Sequence, residues 1–172
     1  MTVQKKRLSL FLSLVIIIGA VVGWLVLHPA RPSGPAKPKL VIGTDPGFKP
    51  FEYRHGGKIV GFDIDLAQEI ANDTGRQLVI EEMNFDGLIA ALQAGKIDMA
   101  VAGMSVTPER AQNVNFSNPY YLASQMIVVR DNDQRITSKD DLTGKKVGVQ
   151  LGTTGDNVVG HLPQVTKVQF SA

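Results

Sequence analysis

Apolar residues run from Leu8 to Leu27 with only Ser9 and Ser13 as polar interruptions, and Lys5-Lys6-Arg7 stands directly before them. Twenty residues in a helix cover roughly 30 Å, the thickness of a bilayer core. Trp24 lies near the far end, where aromatic rings favour the membrane interface. A secretory signal has a shorter apolar region and ends at a small-x-small site, and no clean Ala-x-Ala follows here. The pattern therefore predicts an uncleaved signal-anchor first and a cleaved signal peptide second. A buried soluble helix would show a polar stripe, and none is present. His28 to Lys39 contains four prolines and reads as a stiff, extended spacer.

Beyond the spacer the periodicity changes. Leu40–Thr44 reads as a short strand ending in the Asp45-Pro46-Gly47 turn, and a hairpin is predicted around 54–58 between Phe51-Glu52-Tyr53 and Lys58-Ile59-Val60. Ile64, Ala67, Ile70 and Ala71 share one helix face, with Asp63 expected as the cap and Gly75 as the stop. Leu78-Val79-Ile80 is the next strand, Asp86 is expected to cap a helix through Leu88, Ile89 and Leu92, and Met99-Ala100-Val101 is a third strand. Thr107-Pro108 places a capping residue before proline at the first helical position. Gln125–Arg130 is β-rich. Ser138 then opens a short helix, followed by a strand at 147–149, a Gly/Thr turn at 152–155, a short helix and a strand at 168–170. Such alternation predicts an α/β architecture with mostly parallel sheets, and Asp131-Asn132-Asp133 marks a boundary between two units.

Charge divides the chain at the same place. Residues 1–39 hold six Lys/Arg and no acid, which leaves 12 basic and 16 acidic side chains for the remainder, a net of −4. The pI near 8.9 is therefore no argument for nucleic-acid binding. The chain has no cysteine, which removes disulfides, thiolate metal sites and a lipid-carrying cysteine. No metal spacing joins His28, His55 and His161, and there is no Gly-x-Ser-x-Gly elbow. No catalytic residue, metal or cofactor is expected.

In open α/β sheets ligands bind beyond the carboxyl ends of the strands. Those turns hold Asp45 and Phe48, then Phe85, then Gly103, Ser105, Thr107 and Arg110. Arg110 can grip a carboxylate bidentately, or it is a solvated helix arginine. Phe48 and Phe85 can sandwich an apolar stem, though a phenylalanine near a sheet more often joins the core. Asp45 can neutralise a cation or simply serve the turn. Gly152-Thr153-Thr154-Gly155 can offer N–H groups to an anion or act as a plain cap, and it lacks the lysine of a P-loop.

Taken in order, Gly43-Thr44-Asp45-Pro46-Gly47-Phe48-Lys49-Pro50-Phe51-Glu52-Tyr53 and Gly61-Phe62-Asp63-Ile64-Asp65-Leu66 resemble the extracytoplasmic solute-binding proteins of polar amino-acid ABC importers. Phe85-Asp86-Gly87-Leu88-Ile89, Ala102 through Arg110, Phe116-Ser117-Asn118-Pro119-Tyr120-Tyr121, Asp141 through Val149 and Gly152-Thr153-Thr154 continue the resemblance to about residue 160. It implies a periplasmic-binding-protein type 2 fold, two α/β lobes closing on a ligand without chemistry. It also implies that Arg110 holds the ligand α-carboxylate, helped by Ser105 and the backbone at Gly103 and Thr154. Phe48 and Phe85 would flank the side chain, and Asp45 would face a polar or cationic group.

The family's acidic residue for the α-amino group and its return crossover come later than Ala172, so the second lobe is expected to be incomplete and binding by this chain alone to be weak. The expected layout is a basic tail at 1–7, a signal-anchor or signal peptide at 8–27, a Pro-rich linker at 28–39, lobe 1 at 40–130 and the first part of lobe 2 at 131–172. The resemblance implies a polar L-amino acid ligand, ABC permease subunits as partners, and a place outside the cytoplasm with the membrane reached through the N-terminal helix. A membrane-anchored amino-acid sensor is the alternative, and a periplasmic cyclohexadienyl dehydratase-like enzyme a more distant one.

Overall fold

The first strand, β1 (Lys39–Thr44), is the centre of a three-stranded parallel sheet, flanked by β5 (Gln77–Glu82) and β6 (Met99–Ala100) in this computed structural model, which describes residues 36–171. The basic tail, the Leu8–Leu27 run and most of the proline-rich spacer lie outside the described residues. Among the described residues no helix is long and apolar enough to cross a membrane. The register runs from Lys39 opposite Gln77 to Thr44 opposite Glu82, with Ile42 also opposite Met99.

Both faces of β1 are covered, so its sequence is a nearly unbroken apolar run. Leu40 and Ile42 pack with Ile64, Ala67 and Ala71 of α1 (Phe62–Asp73) and with Val101. Val41 faces the opposite cluster of Leu88, Ile97 and Ala102. Gly43 allows that second layer to approach: a Cβ there would stand 2.6 Å from Ile97 Cδ1.

The hairpin forms as expected, with β3 (Glu52–His55) and β4 (Lys58–Val60) joined through Gly56 and Gly57, whose φ values are 57° and 78°. Two positive φ values in a two-residue turn match the twist of the strands. A short β2 (Gly47–Phe48) pairs on the other side of β3.

Two expected caps are corrected. Helix α1 starts one residue before Asp63, with Gly61 in the cap position and no side-chain cap hydrogen bond. Asp63 lies inside the first turn, fully buried, and accepts instead from Gly103 N–H at 2.9 Å. Asp86 is likewise no cap, because a 3-10 turn over Phe85–Gly87 precedes α2 (Leu88–Gln93). The Phe85 N–H that opens this turn is satisfied from a distance, by Asp45 Oδ2 at 2.8 Å. Thr107 does cap α3 (Pro108–Ala111), accepting from Arg110 N–H at 3.2 Å.

The β-rich stretch Gln125–Arg130 is not a strand. A strand requires a ladder partner, and none of the described residues supplies one there; Val128 is 92% exposed. Farther on, a 3-10 turn (Lys139–Leu142) opens with a capping box between Ser138 and Asp141. Next, β7 (Lys146–Gln150) and β8 (Thr166–Phe170) pair in parallel, connected through α4 (Thr154–Gly160). Strand–helix–strand connections with parallel pairing are the α/β pattern that the sequence predicts.

Candidate ligand-binding site

The loops after β1, β6 and β7 meet the turn that begins at Phe85. Asp45, at the end of β1, is 7% exposed, and its Oδ2 accepts from Phe85 N–H at 2.8 Å and from Gln150 Nε2 at 2.9 Å. Burial raises the Asp45 carboxyl above its ordinary value, the two hydrogen bonds hold it down, and the charges of Glu82 and Asp86 push it up again. The region around Asp45 is thus an acidic end.

Arg110 stands over the ring of the same Phe85. Its Nη1 donates to the Ser105 carbonyl at 2.7 Å and its Nη2 to the Gly152 carbonyl at 2.8 Å. The guanidinium carbon stands 5.4 Å from the centre of the Phe85 ring, a cation–π placement. Burial lowers the Arg110 pKa and Glu109 opposes that shift. A guanidinium has five N–H donors and stays charged in proteins, so donors remain for an anion after the two carbonyl bonds.

Phe85 is half-buried and packs on the Leu88, Ile97 and Ala102 cluster. Phe48 is 54% exposed and stacks on Phe51 with ring centres 5.5 Å apart. Its edge covers Gly103, where a Cβ would lie 3.2 Å from Phe48 Cε1. Gly103 has φ 54°, a conformation that favours glycine.

The loops themselves are held by buried carboxylates. Asp63 engages the Gly103 N–H, so this N–H is not free to donate to a ligand. Asp156, in the first turn of α4, accepts from Gly152 N–H at 3.0 Å and from Gln169 Nε2 at 2.9 Å, and it pairs with Lys167 at 2.7 Å. Those contacts lower the Asp156 pKa, Lys167 most of all. Thr153 is a plain cap, its hydroxyl accepting from Asp156 N–H at 3.2 Å, while Thr154 Oγ1 accepts from Gln125 Nε2 at 2.8 Å.

The structure therefore brings Asp45, Phe85, Ser105 and Arg110 into one connected set, and joins Phe48 to Gly103. Thr154 is reached through an open groove of about 860 Å³ that is also lined by Thr107, Arg110 and Gly152, and that takes in none of Asp45, Phe48 or Phe85. The sequence reading gives none of Gln150, Asp63 and Asp156 a part in the site. Gln150 ends β7, a position that the strand-end rule covers. Asp63 and Asp156 carry only a helix-start signal in sequence, while their actual partners are long-range.

Known proteins resemble this chain in sequence and in fold. Over 118 residues the chain is 48% identical to a "Probable histidine-binding protein" of Campylobacter jejuni, covering 69% of this chain and 46% of that protein. It is 47% identical over 117 residues to the "Arginine-binding extracellular protein ArtP" of Bacillus subtilis, covering 68% of this chain and 46% of that one. A solved "ancestral arginine-binding protein bound to arginine" superposes with a TM-score of 0.77 at 45% identity, covering 80% of this chain and 63% of that one. The chain thus spans about half the length of the curated relatives it matches. Its fold is the α/β fold of type 2 periplasmic binding proteins. With residues 40–156 matching the family model, the chain belongs to the bacterial extracellular solute-binding proteins, family 3.

Proposed function

We propose that this chain contributes the Asp45–Phe85–Arg110 side of a cleft that binds a cationic polar amino acid, L-arginine or L-histidine, for delivery to an ABC importer. One observation carries the reading. The Phe85 residue has the Arg110 guanidinium over its ring at 5.4 Å and the Asp45 carboxylate on its N–H at 2.8 Å. A ligand lying along Phe85 finds a cation for its carboxylate at one end. At the other end it finds Asp45, with Glu82 and Asp86 adding negative charge. Phe48 would cover the ligand stem, and Ser105, Gly103 and Thr154 would complete the wall. The names of the relatives, histidine-binding and arginine-binding, support the same ligand class.

Binding without chemistry is the role we assign to this site, with permease subunits as the partners that receive the ligand. We place the lobe boundary between 130 and 131, because β7 and β8 form a sheet separate from the β5-β1-β6 sheet. The Leu8–Leu27 run after Lys5-Lys6-Arg7 supports an extracytoplasmic body held at the membrane by that run.

Micromolar affinity requires about 8 kcal/mol, whereas a solvent-exposed ion pair supplies about 1 kcal/mol or less. The Asp45–Phe85–Arg110 side by itself is therefore expected to bind more weakly than micromolar. Titration of the full chain with L-arginine, L-histidine and L-glutamate, read by chemical shifts, tests the proposal. The two cationic candidates should bind more tightly than glutamate, and Arg110→Ala should weaken L-arginine at least ~10-fold. Equal or tighter binding of glutamate, or an unchanged Arg110→Ala variant, would overturn it.

A further inference from the structure

Two buried carboxyl groups lie beneath the site, and only Asp63, which holds the Gly103 N–H, has a role in the reading above. Glu52, in β3, is 1% exposed and Asp63, in α1, is 0% exposed. The Asp63 N–H donates to the carbonyl of Phe51, the residue before Glu52, at 2.9 Å, and among the described residues Glu52 Oε2 and Asp63 Oδ1 are buried without a hydrogen-bond partner. Two ionised carboxylates buried side by side cannot satisfy one another, because neither has a proton to donate. A single proton on Glu52 resolves both orphans. Asp63 Oδ2 then takes the Gly103 N–H and the Tyr120 hydroxyl, each at 2.9 Å.

We infer that Glu52 and Asp63 form a proton-sharing pair that positions the Gly103 loop, and with it the Phe48 wall, for the ligand. The chain of contacts is short. Protonated Glu52 donates to Asp63, Asp63 pins the Gly103 amide, and Gly103 lies against the Phe48 edge at the site. Every link joins a different element: β3, α1, the loop after β6, and β2. The inference rests on the assignment of Phe48 and Gly103 to the ligand site.

The groups facing Glu52 agree with a retained proton. Asp63 on α1 and Asp45 at the end of β1 both act on it, and both are acids. Tyr120, whose hydroxyl donates to Asp63, is itself raised, first by burial and then by Asp63. Burial and these neighbours push Glu52 up to about 9. The loop after β7 is held differently: Asp156 pins Gly152 and is neutralised by Lys167 at 2.7 Å. One loop thus hangs on an ion pair and the other on a proton.

The test uses the full chain with carbon-13 labels and needs no ligand for its first arm. The Glu52 carboxyl and the Gly103 Cα signals are followed from pH 6 to 10.5. They should move together with a midpoint near 9, and the Gly103 transition should vanish in Glu52→Gln, whose amide still donates to Asp63. A Glu52 midpoint in the ordinary carboxylate range below about 5, or a Gly103 transition that persists in Glu52→Gln, overturns the pair. The second arm measures L-arginine as the probe at pH 7. Glu52→Gln should bind within about 3-fold of the native chain, while Asp63→Ala should lose at least ~10-fold; equal affinity for Asp63→Ala would remove the positioning role. Absence of L-arginine binding by the native chain would overturn the site reading instead, while the carbon shifts still decide the pair.

Discussion

Gln150 donates its Nε2 to Asp45 Oδ2 at 2.9 Å, joining residues 105 positions apart in the chain. The bond ties the end of β7 to the end of β1, so the two parallel sheets share one carboxylate.

Replacing Gln150 by alanine removes a restraint on Asp45. The carboxyl is already raised by burial, and the Gln150 bond is one of two forces lowering it. In Gln150→Ala the Asp45 pKa should therefore rise further. Loss of one hydrogen bond to a charged group should cost about 2 kcal/mol of stability. Carbon-detected titration of the Asp45 carboxyl measures the shift, and an unchanged midpoint would contradict the geometry.

Glu52 predicts an alkaline loss of stability. Its pKa in the folded chain is pushed up to about 9, against 4.5 for the free side chain. Between those values the folded state holds the proton that the unfolded state has released. Stability should then fall as pH rises, by at most about 1.4 kcal/mol per pH unit. Thermal midpoints measured from pH 5 to 9 should decline in the native chain and decline less steeply in Glu52→Gln. Parallel profiles would show that Glu52 ionises freely.

Asp156 predicts the opposite limb. Its pKa is lowered, chiefly by Lys167, so its contribution is present above the unfolded value and is lost as pH falls through the folded one. Lys167→Met should raise the Asp156 pKa and weaken the chain near neutral pH, with the deficit shrinking toward pH 3. Thermal melts of both proteins at pH 3, 5 and 7 measure it, and a deficit independent of pH would argue for a packing effect only.

The strands, the hairpin and the helix face of Ile64, Ala67 and Ala71 were legible because each is coded by local spacing. Arg110, Phe85 and Asp45 were legible as strand-end residues, and the structure joins them in one set. The caps at Asp63 and Asp86 were misread for a common reason. An aspartate before an apolar helix signals a cap, but Asp63 is drawn inward by Gly103, 40 residues away, and the first N–H of the Phe85 turn is met by Asp45. Spacing along the chain holds no record of such partners. Gln125–Arg130 was misread because β propensity reports a fit to a pleated surface and not the presence of a neighbouring strand.

Gly61 offers the sharpest test of the turn that launches α1. Its φ is 131°, and a Cβ there would stand 2.2 Å from the Phe51 carbonyl oxygen and 2.7 Å from that of Pro50. Both obstacles are backbone, so no rotamer change relieves them. Gly43 is a useful contrast, since its Cβ would meet the Ile97 Cδ1 at 2.6 Å, a side-chain tip that can turn aside. Gly61→Ala combines a disfavoured φ with a backbone clash and should cost at least about 3 kcal/mol, while Gly43→Ala should cost about 1–3 kcal/mol as an overpacking change. Urea unfolding of both variants ranks them. A Gly61→Ala protein as stable as the native chain would mean that Phe51 and α1 can separate, which the Asp63 N–H bond to the Phe51 carbonyl at 2.9 Å argues against.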